Sequence, residues 1–99
     1  MVARIWRGVV RAEDADAYVA YIEQTGLREY RETPGNRGAW LLRRTVGERC
    51  EIMTLSHWDS LDSVRAFAGD NVERAVYYPE DEQFLIEHDD LVTHWEIFE

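Results

Sequence analysis

The sequence predicts an α+β fold, on three observations. Two apolar, β-branched and aromatic segments in mid-chain, residues 38–46 and 49–58, are separated only by Gly47-Glu48, which makes them a β-hairpin. Amphipathic helical stripes flank that hairpin on both sides. Further strand-like segments stand at the two ends of the chain. The order is then β-α-β-β-α-β, the ferredoxin-like plan, in which two helices cover one face of a four-stranded antiparallel sheet. With 99 residues the chain reads as one domain, residues 1–99, long enough for a single two-layer core.

Each element has its own local reason. Residues 2–10 are rich in β-branched and aromatic side chains and read as the first strand. Glu13, Asp14 and Asp16 follow, acids that suit a helix N-terminus. Ala15, Val19, Ile22 and Gly26 keep the spacing of a buried stripe with Tyr18 beside it, so a helix is expected over residues 13–25. Gly26 suits the left-handed residue that closes such a helix. Residues 27–33 are amphiphilic but too short to assign, and Pro34-Gly35-Asn36 is a turn. After the hairpin, Asp59 or Ser60 can cap a second helix with the stripe Leu61, Val64, Phe67 and Ala68, closed by Gly69. Residues 71–78 read as a helical turn stopped at Pro79, and residues 80–87 as another with Pro79 near its first position. Residues 91–98 alternate polar with apolar side chains and form the last strand.

The strands carry bulk on both faces. Ile5, Val9, Met53, Leu55, Trp95 and Ile97 share one parity, and Trp6, Val10, Ile52, Trp58 and Phe98 the other. Helices for one face leave the second uncovered, so a homodimer through the sheet face is expected.

Charge and composition exclude several classes. The formal charge is −9, and all 11 basic residues are Arg. An acidic surface repels phosphate backbones and anionic headgroups, which argues against nucleic-acid and membrane partners. The absence of Lys rules out Schiff-base chemistry. Cys50 stands alone, the first residues do not form a signal peptide, and no apolar run nears the ~20 residues of a membrane span. A soluble, cytoplasmic chain is expected. Nucleophile elbows, phosphate loops and H-E-x-x-H are missing, and His94-x-Glu96 alone is too weak a metal signal, so no metal and no cofactor is assigned. His88 beside Asp89-Asp90 reads as a surface loop residue, and Glu80-Asp81-Glu82 as a solvated helix start.

Several stretches carry a family resemblance: Ala3-Arg4-Ile5-Trp6-Arg7-Gly8, Pro34-Gly35-Asn36-Arg37-Gly38-Ala39, and Ser56-His57-Trp58-Asp59-Ser60-Leu61 with Phe67-Ala68-Gly69-Asp70. Ala75-Val76-Tyr77-Tyr78-Pro79-Glu80 and Val92-Thr93-His94-Trp95-Glu96 add to it. Over nearly its whole length the chain resembles the antibiotic biosynthesis monooxygenase-like family of dimeric α/β-barrel proteins. The resemblance implies a pocket for a small organic molecule between helices and sheet, lined first by Trp58 and also by Trp6. It implies a cofactor-independent monooxygenase acting on a small aromatic or polyketide-like substrate. The alternative is a non-catalytic small-ligand-binding or stress-related dimer. Two departures bear on this choice. Thr54 stands where anthrone-oxygenase members tend to place Asn, and the absence of His from residues 60–78 disfavours haem degradation.

Cofactor-free oxygenation needs a base, an oxyanion donor and a dry aromatic pocket. Trp6, Trp40, Trp58, Phe67, Tyr77 and Tyr78 can supply walls, or can simply be core, and Thr54 can donate one hydrogen bond. His57 and His94 titrate near neutrality. If Trp58 lines the pocket, its neighbour His57 points away, which leaves His94 as the base candidate, with a structural role as the plain alternative. Arg4 shares a face with Trp6 and is the oxyanion candidate, with Glu96 as its expected carboxylate partner, or both form a rim salt bridge.

Overall fold

The computed structural model describes residues 1–99. Strand β1 (Val2–Arg11) leads through a 3-10 turn (Ala12–Asp14) into helices α1 (Ala15–Gln24) and α2 (Gly26–Glu32). The hairpin β2 (Asn36–Val46) and β3 (Arg49–Trp58) follows, then α3 (Leu61–Ala68), α4 (Asp81–Phe84), β4 (Leu85–His88) and β5 (Thr93–Glu96). The sheet is antiparallel in the order β2-β3-β1-β4, and β5 also pairs with β1. This is the expected ferredoxin-like plan.

Local signals held wherever the chain could satisfy them within a few residues. Gly47 turns the hairpin at a φ of 63°, Ser60 Oγ accepts from the Ser63 N–H to cap α3, and Gly69 ends that helix at a φ of 83°. Gly26 departs from expectation. It does not take a left-handed conformation but opens α2, while Thr25 makes the break at φ −113°, ψ −92° and donates its hydroxyl to the Tyr21 carbonyl.

The C-terminal third departs more. Within residues 71–78 only one hydrogen-bonded turn forms, Asn71 to Arg74, and the rest runs as an irregular strap with one bridge, Arg74 to Leu91. Of the helix expected over residues 80–87 only Asp81–Phe84 is helical, and the rest is β4. The single last strand arrives in two pieces: β4 pairs with Gly8–Val10 and β5 with Val2–Ile5. Five strands thus make four lines of sheet. The reason is tertiary, because β1 offers its free edge to both pieces and outweighs weak helical periodicity.

Register then assigns the faces. Val2, Arg4, Trp6, Gly8 and Val10 lie opposite Trp58, Ser56, Thr54, Ile52 and Cys50, and this face is covered by the helices. Tyr18, Ile22, Leu27, Tyr30 and Val64 descend onto it as the buried side of α1, α2 and α3. The other face carries Ile5, Trp40, Leu42, Met53, Leu55, His57 and Trp95, and no layer of this chain covers it. Trp40, Leu42 and Trp95 remain 47 %, 46 % and 58 % exposed there.

Candidate functional site

On the inner face of β1, Gly8 has no side chain, and the Trp6 indole occupies the space: a Cβ at Gly8 would stand 2.6 Å from the ring. So placed, Trp6 donates its N–H to the Tyr77 hydroxyl over 2.9 Å. That bond links the sheet to the strap. The Tyr77 hydroxyl also meets His88 Nδ1 at 3.1 Å and donates to the Asp89 carbonyl. Burial pushes its pKa up, partly offset by the Trp6 N–H.

Two residues earlier on β1, Arg4 is 1 % exposed. Its Nη1 donates to the Val72 carbonyl at 2.5 Å and its Nη2 to the Arg74 carbonyl at 3.1 Å. Nη1 also lies 3.1 Å from His94 Nε2, and the guanidinium sits over the Phe67 ring, 5.8 Å from its centroid. Arginine can only donate, so His94 accepts and is the neutral Nδ1–H tautomer. Burial first, and the Arg4 charge second, hold the His94 pKa below its ordinary value, while Glu73 opposes them. The carboxylate partner expected at Glu96 is not there, because Glu96 faces Val2 further along the sheet. Main-chain carbonyls and a neutral imidazole take its place, and the Arg4 Nε has no partner.

A third buried group was not anticipated. Asp81 is 5 % exposed, accepting the Tyr18 hydroxyl at 3.0 Å and the Tyr78 N–H at 2.6 Å. It is a buried carboxylate, not part of a solvated helix start. A signal was present: in Tyr78-Pro79-Glu80-Asp81 the Pro stands near the helix start and the acid two residues on reaches back to a free backbone N–H, as in a capping box. Burial and Asp81 together push the Tyr18 pKa up, and burial with the Glu29 carboxylate does the same at Tyr78, so both phenols stay protonated donors.

Arg4, Trp6, Thr54, Tyr77 and Tyr78 come together around a cavity of about 30 Å³ between helices and sheet. Tyr18, Tyr30 and Asp81 complete its polar and aromatic wall. The remaining sequence candidates lie elsewhere. Trp40 is on the opposite face, its ring edge 5.0 Å from His57, because β2 register sets it against Leu55. Trp58 is fully buried core: its N–H bonds Ser56 Oγ at 2.9 Å, and its ring meets Tyr30 and Phe67 at 5.9 and 6.1 Å. Phe67 packs on Tyr30 at 4.5 Å and under Arg4, away from the cavity. His94 reaches the site only through Arg4.

Neither a protein-family model nor a curated protein matches the sequence. Solved structures do. A Bacillus cereus protein assigned as an antibiotic biosynthesis monooxygenase superposes with a TM-score of 0.68 at 13 % identity, over 99 % of this chain and 95 % of that one. The haem degrader MhuD from Mycobacterium tuberculosis, with two haems in its active site, matches at 0.61 and 18 % identity, over 98 % and 95 % of the two chains. Rv0793 from the same organism matches at 0.63 and 18 %, over 99 % and 95 %. The chain shares their fold. The resemblance read from the sequence is met by these structural matches over nearly its whole length. No helix is long and apolar enough to cross a membrane.

Proposed function

We propose that Arg4, in the wall of the cavity, holds the oxygen of a small phenol or enol as its anion, and that the chain oxygenates it without a cofactor. The observation that carries this reading is the buried guanidinium with no carboxylate and a free Nε. A buried charge without a counter-charge is costly, and an anionic ligand oxygen beside it would offset that cost. The same charge stabilises the phenolate or enolate as it forms. Asp81 lines the cavity and keeps lone pairs beyond the two bonds it accepts, so it can take the ligand proton. For an anthrone, dioxygen is the oxidant. One oxygen atom becomes the new ring carbonyl, and the other leaves as water with the two methylene hydrogens.

Haem, the ligand of MhuD, does not suit these residues. None of the three His side chains lines the cavity, so no imidazole there would ligate the iron. The same reading places a second copy of the chain on the uncovered sheet face, where apolar side chains stand exposed. A binding role without turnover is the second reading, favoured by the Tyr77 hydroxyl, whose bonds are all taken by the protein.

Oxygen uptake with a panel of anthrones and hydroquinones decides between them. One dioxygen consumed per substrate, slowed about 100-fold in Arg4→Met with the circular dichroism unchanged, is the expected result. Ligand bound without oxygen uptake moves the assignment to the second reading. Neither binding nor uptake across the panel sinks both.

A further inference from the structure

Two spaces meet at one wall. Tyr77, Tyr78 and Asp81 border the inner cavity on one side. On the other they border, with Pro79, Leu85 and His88, a larger depression of about 410 Å³. Two of the three wall residues are tied to the helices. Tyr78 donates its hydroxyl to Glu29 on α2 and its N–H to Asp81, and Asp81 holds Tyr18 on α1. Tyr77 is different. It is 36 % exposed, it sits on the irregular strap, and its polar ties all converge on the hydroxyl at the tip of the ring. The ring also meets Trp6 and His88 edge-on, and because it borders the outer depression, water there can replace its hydroxyl bonds when it turns. When the ring swings out, the Trp6 N–H loses its acceptor and becomes a free donor at the junction of the two spaces.

We infer that Tyr77 is the movable partition of a two-compartment ligand site, and that it decides how long a ligand the protein accepts. The inference rests on the reading of Arg4 as the anion holder. The inner space alone has room for water, whereas the two joined reach the few hundred Å³ typical of small-molecule sites. The acidic head of the ligand lies inside at Arg4, and its aromatic body extends past Tyr77 over Pro79, Leu85 and His88. Glu82 also borders the outer space, so that body is uncharged. The ligand class is a hydroxyaryl acid of one or two fused rings, with its polar groups at one end.

Calorimetric titration with salicylate, one ring, and 1-hydroxy-2-naphthoate, two rings, tests this on the whole chain. In Tyr77→Ala the naphthoate is expected to bind about tenfold tighter than to the wild type, with salicylate changed less than about threefold. Tyr77→Phe keeps the ring and frees its tip, so it speeds the association of both ligands and leaves their affinity ratio unchanged. The methyl esters of both ligands, which lack the charge, are expected to bind at least about tenfold more weakly to every form. Equal shifts for both ligands in Tyr77→Ala, with the acids still preferred over their esters, overturn the partition and leave the Arg4 reading standing. Acids and esters binding alike, or no binding by any form, overturn both.

Discussion

Along β3, residues alternate between two environments that differ in how completely the chain finishes them. Cys50, Ile52, Thr54, Ser56 and Trp58 face the helices, and none is more than 5 % exposed. Their neighbours Glu51, Met53, Leu55 and His57 face outward and are only partly buried. Trp6 and Trp40 show the contrast in one residue type. Each leans over a glycine two positions away on its own strand, Gly8 and Gly38. Trp6 is 7 % exposed and hydrogen-bonded to the strap, whereas Trp40 is 47 % exposed with only His57 at its edge. The inner face is a finished core with a small polar defect at Arg4. The outer face is exposed apolar surface, which the proposed reading covers with a second copy.

The largest expected effect breaks the inner face. Trp58→Ala removes a fully buried ring that joins β3 to α2 and α3, and should cost about 3–5 kcal/mol of unfolding free energy in a denaturant titration. A loss near zero would mean that Trp58 is a pocket wall and not core. Next comes the outer face. Trp40→Lys sets a charge into the uncovered patch and should halve the molar mass measured by light scattering, with little change in secondary structure. A wild-type chain that is already monomeric would remove the second copy from the proposal.

The smallest effect is at the defect itself. His94 is held neutral by burial and by Arg4, so its folded pKa lies below the ordinary 6.5. As pH falls through that window the unfolded chain takes up the proton first, and the folded state loses stability; above it the contribution is fully present. His94→Gln keeps an acceptor for Arg4 and cannot titrate. Its melting temperature should fall less than that of the wild type between about pH 7.5 and about pH 5.5. Equal falls would show that His94 does not sense the Arg4 charge.

How much of this was legible depends on the distance over which each feature is decided. The hairpin and α3 were readable because Gly47, Ser60 and Gly69 act on their immediate neighbours. The face of Trp40 was readable too, although it was first grouped with the pocket residues: with Val46 opposite Arg49 across a two-residue turn, Trp40 falls opposite Leu55. The site was not. Arg4 finds its acceptors 68 and 70 residues away, and Asp81 finds Tyr18 across 63. No local pattern marks a carbonyl on an irregular strap as the partner of a buried arginine.

The sequence by itself determined the element order as far as α3 apart from α2, the hairpin register and the two apolar faces, because side-chain period and turn chemistry are local properties. Only the tertiary structure decided that the last strand divides into two. It alone buried Asp81, placed Trp58 in the core, and left Arg4 without a carboxylate beside a cavity bordered by Tyr77. Each of those outcomes depends on which distant segments meet and satisfy one another's polar groups, a competition among contacts that no short stretch of chain encodes.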